Sequence, residues 1–269
     1  MKKTKPIISI LIPVYNEDPK ILILSLKSII SQTFIDFECI VVDDSSDQNT
    51  INACKAICNS DNRFSYIKPP YRLGLAASLN LALKKASGDF LARFDSDDIC
   101  MPDRLFVQFN FLNDHPDIDI LGCAIRIIDQ NSRLVAKKTY PEMHKSIERK
   151  FIFTNAIAHP AVMARRSVFL NAGGYDENYK YAEDLDLWLR LLCKGFKFHN
   201  LTNELISYRQ SRTNRTKEHW RYNIRARYSN LSSKFFILKF IAIISIYLWS
   251  LFPKVLQELI YKLLMLRAL

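Results

Sequence analysis

Short apolar runs alternate with amphipathic helical patterns throughout the first half of the chain. The runs occupy residues 9–13, 38–42, 64–67 and 90–94. A helix between two strands returns the chain to the same end of a sheet, so this order predicts parallel strands with helices on both faces. Helix signals fall in the intervening segments, for example Asp18-Pro19, which supplies an N-cap and a first-turn proline. The chain is therefore expected to fold as an α/β protein.

The second half follows a less regular pattern. Strands are predicted at residues 118–128 and 134–139 with a hairpin turn between them, and helices at 165–172 and 183–194. A glycine follows each of these helices, which is typical of a helix end. Because no linker separates the two halves, we expect one compact unit to about residue 215 and a helical tail from residue 216 to residue 269.

Acidic side chains follow the ends of three predicted strands. Glu17 lies after the first strand, Asp43 and Asp44 follow the second, and the Asp-Ser-Asp-Asp run at residues 95–98 follows the fourth. The carboxyl ends of parallel strands lie at one edge of the sheet, where α/β proteins bind ligands. Clustered carboxylates repel one another unless a cation neutralises them, and Asp-x-Asp offers the oxygen ligands that Mg²⁺ or Mn²⁺ prefers. Each motif taken alone is also compatible with a capped turn before a helix.

Two common phosphate-binding loops are missing from the sequence. No Gly-x-Gly-x-x-Gly follows the first predicted strand, and no Gly-Lys-Ser/Thr motif occurs. The sequence therefore disfavours a Rossmann dinucleotide site and a P-loop nucleotide site.

The net charge of +11 is concentrated towards the end of the chain. Residues 207–239 contain nine basic residues and one acidic residue, Glu218, and residues 235–252 are apolar or neutral apart from Lys239. A basic segment beside an apolar, aromatic one suits an anionic membrane surface. Three arrangements stay open for the tail, namely a helix on the membrane surface, a single membrane span, and a helix packed on the body. No nucleic-acid-binding motif accompanies the charge, so nucleic acid is not expected as a partner.

The cysteines and the first residues of the chain indicate a reducing compartment. None of the six cysteines forms a C-x-x-C pair, and several lie in apolar runs, which predicts buried reduced thiols. The apolar stretch at residues 7–12 is short and runs directly into polar residues, unlike a signal peptide. We expect a cytoplasmic protein that lies peripherally on the inner face of the cell membrane.

Four ordered segments carry a resemblance to a known family. They read ISILIPVYNE, SIISQTFIDFECIVVDDSS, GDFLARFDSDDICMPDRL and HPAVMARRSVFLNAGGYDENYKYAEDLDLWLRL. With these segments the chain resembles the family 2 glycosyltransferases, which have the GT-A fold. The resemblance implies a Rossmann-like mixed sheet with helices on both faces. It also implies a nucleotide-binding half at residues 1–115 and an acceptor-binding half at residues 116–215.

The same resemblance implies residues for the donor site. Pro13, Tyr15 and Glu17 would line the nucleotide, with Tyr15 against the uracil ring. Asp44 would accept a hydrogen bond from the uracil, and Asp95 would contact the ribose or the sugar.

Further residues would act at the reacting centre. By resemblance, Asp97 would contact a divalent cation, Mn²⁺ or Mg²⁺, and Asp184 would be the general base. A positioned carboxylate suits that role because the attacking hydroxyl must lose its proton. Glu183 and His159 are candidates for the acceptor site, and Arg209 is a candidate for contact with the diphosphate.

The resemblance implies an inverting transfer from a nucleotide-diphosphate sugar, usually a uridine one, of the kind found in bacterial cell-surface polysaccharide synthesis. The Gln-x-x-Arg-Trp motif of processive synthases is absent, which favours addition of one sugar to a lipid-linked or cell-envelope glycan. Two alternatives stay open. One is a polyprenyl-phosphate sugar synthase, and the other is a non-catalytic nucleotide- or carbohydrate-binding module.

Overall fold

The computed structural model describes residues 5–210, 216–253 and 257. Within these residues the strands are β1 (Ile8–Val14), β2 (Phe37–Asp43), β3 (Phe64–Ile67), β4 (Phe90–Arg93), β5 (Ile99–Cys100), β6 (Ile120–Ile128), β7 (Leu134–Lys138), β8 (Met163–Arg165) and β9 (Phe198–Arg209). The α-helices are α1 (Pro19–Ile30), α2 (Gln48–Cys58), α3 (Leu75–Lys85), α4 (Arg104–Asp114), α5 (His144–Phe151), α6 (Arg166–Ala172), α7 (Glu183–Cys193), α8 (Lys217–Ser229) and α9 (Phe236–Leu251).

The strands form one mixed sheet in the order β3-β2-β1-β4-β8-β6-β9-β5, with β7 paired to β6. β1 pairs in parallel with β2 and β4, and β2 pairs in parallel with β3. In the second half β6 pairs antiparallel with β7, in the hairpin that the sequence predicts, and parallel with β9. The expected α/β architecture with a mixed sheet is confirmed.

Alternate side chains of the central strands face opposite helical layers. Ile10 and Ile12 of β1 are buried in one layer together with α1, α2 and α4, whereas Leu11 is buried in the other with α3, α6 and α7. Fully burying an aliphatic side chain contributes about 1.5–3 kcal/mol, so these two layers hold the sheet in place. The loops at the carboxyl ends of the parallel strands stay outside both layers and are free to form a site.

Four strands and helices lie outside the sequence-based prediction, namely β5, α5, β8 and β9. The middle of β9 is polar at Thr202, Asn203 and Glu204, and its register against β6 shifts there, so it lacks a continuous apolar alternation. The cysteine prediction is also wrong at one position. Five cysteines are buried, but Cys193, the last residue of α7, is exposed.

The tail begins with a helix that packs on the body. In α8, Ala226 and Arg227 are buried, and Ala226 belongs to the core cluster that contains α7. In α9, Ala242 and Ile246 are buried, but most apolar side chains are exposed: Phe236, Ile237, Leu238, Phe240, Ile241, Ile244, Tyr247, Leu248 and Leu251. Of the helices in the described part of the chain, none has the length and apolar character that crossing a membrane requires. Most of the predicted tail beyond residue 253 lies outside the described residues.

Candidate active site

The loops that follow β1 and β2 are fastened to each other at the edge of the sheet. Asn16 adopts a φ of +50°, which asparagine tolerates better than most residues. Its Oδ1 accepts hydrogen bonds from the backbone N–H groups of Ser46 at 2.8 Å and Asp47 at 2.9 Å. The Thr50 hydroxyl donates to the carbonyl of Glu17 at 2.8 Å. The loop that carries Glu17 is thereby held against the start of α2.

The loop after β4 brings three carboxylates together. One oxygen each of Asp95, Asp97 and Asp98 lies within 4.8 Å of the other two. Asp98 is fully buried, and its Oδ1 accepts the backbone N–H of Arg209 at 2.8 Å. Its Oδ2 is also buried and has no hydrogen-bond partner among the described residues. An orphaned, buried carboxylate oxygen beside two more carboxylates fits a divalent cation.

The electrostatics of these loops agree with that fit. Burial and the charge of Asp95 raise the pKa of Asp97 to about 6. Burial and the charges of Asp97 and Asp95 raise the pKa of Glu17 to about 7, while Arg209 opposes this increase. Burial also raises the pKa of Asp98 well above its usual value. The structure therefore places Glu17, Asp97 and their neighbours in one acidic cluster that a cation would relieve.

Asp44 and Tyr15 lie beside a different loop, the one that leads into α3. The Asp44 carboxylate accepts hydrogen bonds from the backbone N–H groups of Leu73 and Gly74, both at 2.8 Å. Gly74 has a φ of +83°, a conformation that glycine adopts without strain. Arg72 lies two residues before Gly74, and its guanidinium carbon is 4.3 Å from the ring centre of Tyr15. Segment 72–74 thus joins the two residues predicted to contact uracil.

Pro13 is half-buried near the end of β1, and Tyr15 is 42% exposed just beyond it. An exposed aromatic ring with a cation on one side can still stack on a planar base with its other face. The nucleotide roles of Pro13, Tyr15 and Asp44 stay predictions.

Two adjacent carboxylates lie at the start of α7. Ala182, with a φ of +61°, precedes Glu183 and Asp184, which form the first turn of the helix. Asp184 is half-buried, and its Oδ2 accepts a hydrogen bond from Nδ2 of Asn155 at 3.0 Å. Glu183 is buried, and burial together with the charge of Asp184 raises the pKa of Glu183 to about 8. Near neutral pH the carboxyl group of Glu183 is therefore held mainly in its neutral form.

A buried arginine connects the two acidic groups. Arg93, the last residue of β4, is 4% exposed and forms an ion pair with Asp95. The charge of Arg93 also opposes the increase in the pKa of Glu183. Burial, and to a smaller extent the charge of Arg93, lower the pKa of His159 well below its usual value. The aspartate loop and the start of α7 therefore share one electrostatic environment around Arg93.

His159 and Arg209 are both buried by the fold. His159 Nε2 lies 2.8 Å from the Tyr175 hydroxyl, and the His159 ring packs against Trp188. The Arg209 side chain donates to the carbonyls of Asp97 and Asp129, each at 2.8 Å. These contacts fix the aspartate loop against the β6–β7 hairpin. Contact of His159 with an acceptor, and of Arg209 with a diphosphate, stay predictions.

Three residues of this site have no role in the sequence-based prediction. They are Arg93, Asp98 and Asn155. Arg93 carries a signal in the sequence, since it is a lone cation in an apolar strand two residues before Asp95. Asp98 belongs to the acidic run, but the sequence does not show that one of its oxygens is buried and unpartnered. Asn155 lies 29 positions from Asp184 in a segment without a motif, so only the fold brings them together.

A model of the family described as glycosyl transferase family 2 matches residues 9–171, which is more than half of the chain. The chain belongs to this family. The match includes the loops after β1, β2 and β4 and ends before α7. The protein is thus a glycosyltransferase, as the resemblance predicted.

Curated relatives agree with the family. The O-antigen biosynthesis glycosyltransferase WbnJ of Escherichia coli is 34% identical over 206 residues, which are 75% of this chain and 79% of WbnJ. The amylovoran biosynthesis glycosyltransferase AmsE of Erwinia amylovora is 29% identical over 202 residues, 75% of each chain. In each comparison about a quarter of this family 2 chain is not aligned.

Solved structures show the same fold. TarS 1-349 of S. aureus in complex with UDP-GlcNAc has a TM-score of 0.64 and 23% identity, over 82% of this chain and 66% of that one. This chain spans only 39% of a longer TarS chain. The mannosyltransferase PcManGT of Pyrobaculum calidifontis, in complex with GDP-Man and Mn²⁺, has a TM-score of 0.67 and 17% identity, over 93% of this chain and 73% of that one. The family 2 chain therefore has the architecture of these GT-A-like transferases.

Proposed function

We propose that this glycosyltransferase moves one sugar from a uridine-diphosphate donor to a hydroxyl group of a lipid-linked or cell-envelope glycan, with inversion at the anomeric carbon. The observation that carries the proposal is the pairing of two acidic groups around Arg93. One is the cluster of Asp95, Asp97 and Asp98 at the strand ends, and the other is Glu183-Asp184 at the start of α7. The first group suits a metal-bound diphosphate, and the second suits proton removal from an acceptor.

The donor side of the proposal rests on the loops around Asp44. Tyr15 offers an exposed ring, and Asp44 fixes the loop that carries Arg72 over that ring. TarS binds UDP and UDP-GlcNAc in solved structures of the same fold, which supports a uridine nucleotide. The names of WbnJ and AmsE refer to O-antigen and amylovoran biosynthesis, which supports a cell-envelope glycan as the acceptor.

A divalent cation, Mn²⁺ or Mg²⁺, fits the aspartate cluster. Asp97 and Asp98 would hold it together with Asp95, whose carboxylate Arg93 keeps in place. When bound, such a cation stabilises the negative charge that develops on a departing diphosphate. The same fold binds Mn²⁺ in PcManGT. Glu17, with its raised pKa beside the cluster, would meet the donor from the β1 side.

Asp184 is proposed as the general base. It is half-buried at the start of α7 beside Glu183, whose pKa is raised to about 8, and Asn155 donates a hydrogen bond that orients its carboxylate. In this position it would take the proton of the attacking hydroxyl as the bond to the sugar forms. No proton donor is needed on the other side, because the nucleoside diphosphate leaves as an anion. An ionised lipid phosphate would have no proton for Asp184 to accept, so the oriented carboxylate favours a hydroxyl acceptor over a polyprenyl phosphate.

The tail is proposed to lie on the cytoplasmic face of an anionic membrane. The exposed apolar side chains of α9 form a larger apolar surface than a soluble monomer usually presents. Lys234 and Lys239 lie beside the start of that surface, where Lys234 is also ion-paired with Glu148. A cation near anionic lipids contributes roughly 1 kcal/mol. The peripheral arrangement would bring the acceptor half close to a lipid-linked glycan.

A donor screen tests the proposed function. Purified protein is incubated with UDP-, GDP- and dTDP-sugars, with and without Mn²⁺, and release of the nucleoside diphosphate is measured. The proposal expects release from a UDP-sugar that depends on the cation. Release from GDP-sugars alone would contradict the uridine assignment, and full activity in excess chelator would contradict the metal assignment.

A further inference from the structure

Helix α8 touches three chain segments that surround Asp184. The first segment precedes Asp184 in the chain, the second follows it, and the third carries Asn155, which donates a hydrogen bond to Asp184. The sequence treats α8 as the start of a tail that is separate from the catalytic unit. Its contacts with all three segments connect it instead to the proposed base.

The contact with the third segment is made by Arg227. This side chain is 6% exposed and donates hydrogen bonds to the carbonyls of Phe151 and Ile152, the latter at 2.8 Å. Phe151 and Ile152 end α5, so the guanidinium supplies both hydrogen-bond donors and positive charge where a helix exposes unpaired carbonyls. Burial lowers the pKa of Arg227 to about 10, so the group is still a cation at neutral pH.

Asn155 follows the Arg227 contact by only three residues. From Ile152 the chain runs directly to Asn155, whose Nδ2 donates to Asp184 Oδ2 at 3.0 Å. Fixing the end of α5 therefore fixes the point from which the Asn155 side chain reaches the carboxylate.

The contacts on either side of Asp184 are made by other residues of α8. The Tyr222 ring packs on Tyr179 and Tyr181 at centroid distances of 5.9 and 6.2 Å, just before the start of α7. Asn230, at the end of α8, donates to Asp186 Oδ1 at 3.1 Å. The first turn of α7 is thus held by α8 from both sides.

The geometry points to Arg227 as a positioning residue, which acts through Asn155 on the carboxylate of Asp184. The inference deepens the proposed function and rests on the role that it gives to Asp184. It predicts that α8 belongs to the catalytic unit, although it lies beyond residue 215.

Arg227→Gln tests the inference in the full chain. Glutamine is shorter and uncharged, so it weakens the hydrogen bonds at the end of α5. This should lower kcat for release of UDP from the best UDP-sugar by about 10-fold, with KM for the donor unchanged. Loss of the Asn155 hydrogen bond should also raise the pKa of Asp184, because donors to a carboxylate favour its charged form. The acidic limb of the kcat–pH profile should then move to higher pH, which a general loss of folded protein would not cause. Arg227→Lys keeps a cation at the carbonyls and should restore most of kcat.

Arg221→Gln is the matched control, since it removes the same charge from an exposed position of the same helix. It should leave kcat and the pH profile as in the unmodified protein. Asn155→Ala supplies the decisive comparison. If Arg227 acts through Asn155, the effects of the two substitutions on kcat should not add. Arg227→Gln combined with Asn155→Ala should be no slower than Asn155→Ala alone.

The inference is overturned if the loss of kcat in the double variant equals the product of the losses in the two single variants. It is also overturned if the acidic limb of the kcat–pH profile is unchanged in Arg227→Gln. If Arg227→Gln does not fold, the same double comparison is made with Arg227→Met, whose apolar side chain suits the buried position but supplies no hydrogen-bond donor. Failure of the underlying function has a different signature. Full turnover in Asp184→Asn removes the base assignment, whereas lost turnover in Asp184→Asn with normal kinetics in Arg227→Gln removes only the positioning role.

Discussion

The backbone N–H of Arg209 donates to Oδ1 of Asp98 at 2.8 Å across 111 positions of the chain. This bond uses one oxygen of a fully buried carboxylate, and the other oxygen has no partner among the described residues. Leaving a buried charge half-satisfied is unfavourable unless a ligand completes it. The last residue of β9 therefore helps to prepare the aspartate loop for a cation.

Asp97→Ala should abolish sugar transfer while the protein stays folded. A substitution in a loop outside the two helical layers costs little stability, but it removes a carboxylate from the cation site. Turnover is measured with the best UDP-sugar and Mn²⁺, and the melting temperature confirms folding. Asp103→Ala, an exposed aspartate before α4, is the control and should retain activity. Normal turnover in Asp97→Ala would show that the cation, if any, binds elsewhere.

The cation-free protein should lose stability between about pH 4 and pH 7 because of the acidic cluster. Folding raises the pKa of Asp97 from 3.8 to about 6 and the pKa of Glu17 from 4.5 to about 7. As pH rises between the two pKa values of each group, the carboxyl group ionises in the unfolded chain before it ionises in the folded one. The free energy of unfolding then decreases, by about 1.4 kcal/mol for each unit of difference between the two pKa values. Asp97→Asn removes one of these groups. In chelator, its melting temperature should therefore exceed that of the unmodified protein by an amount that grows from pH 4 to pH 7.

Mn²⁺ should reverse this pH dependence, since a carboxylate must be deprotonated to bind a metal. The increase in melting temperature on adding Mn²⁺ should be larger at pH 7.5 than at pH 5, and it should be small in Asp97→Asn. An increase that is equal at both pH values would contradict binding of the cation at this cluster.

Asp184→Asn should keep nucleotide binding and lose turnover by a factor on the order of 10², the scale of general-base removal. Calorimetry with UDP and Mn²⁺ measures the binding. Glu183→Gln is the informative companion, because the pKa of Glu183 is raised to about 8 and glutamine reproduces the neutral acid. It should cost less than about 10-fold near pH 7. Loss of UDP binding in Asp184→Asn would make Asp184 a donor-site residue, and unchanged turnover with a lipid-phosphate acceptor would favour the polyprenyl-phosphate alternative.

Charges placed on α9 should release the protein from anionic membranes without stopping release of UDP from the donor. Phe240 and Ile244 are 48% and 45% exposed, so Phe240→Asp with Ile244→Asp disturbs little of the core. Flotation with phosphatidylglycerol vesicles measures binding, and Phe106→Asp, an exposed phenylalanine of α4, is the control. High salt should loosen a surface helix because it screens the cations. Binding that survives both the aspartates and high salt would contradict the surface arrangement.

The packing of α8 changes one expectation about the tail. From the sequence, truncation after about Thr216 should release the membrane tail and leave donor hydrolysis intact. In the structure that truncation also removes Arg227 from the end of α5. Truncation after Ser232 keeps α8 and is the version that should retain hydrolysis.

The amino-acid sequence is enough to predict the parallel half of the sheet, the loops that carry the acidic residues, and the family. These features depend on local patterns, such as the apolar runs before Asp44 and Asp95, which can be recognised without knowing any contact between distant residues. The sequence could not predict β9, because its polar centre gains stability only by pairing with β6.

The contacts between side chains of the site depend on how the folded chain packs. Arg93 lies between the aspartate loop and α7, Asn155 reaches Asp184, and Arg227 fixes the end of α5, although each pair except Arg93–Asp95 is distant in the chain. A buried charge or polar group needs a partner close to it in space, and the packed layers determine which groups come within reach. The order of residues specifies the chemistry available to this protein, and the packing of α5, α7 and α8 on the sheet determines which of those groups act together.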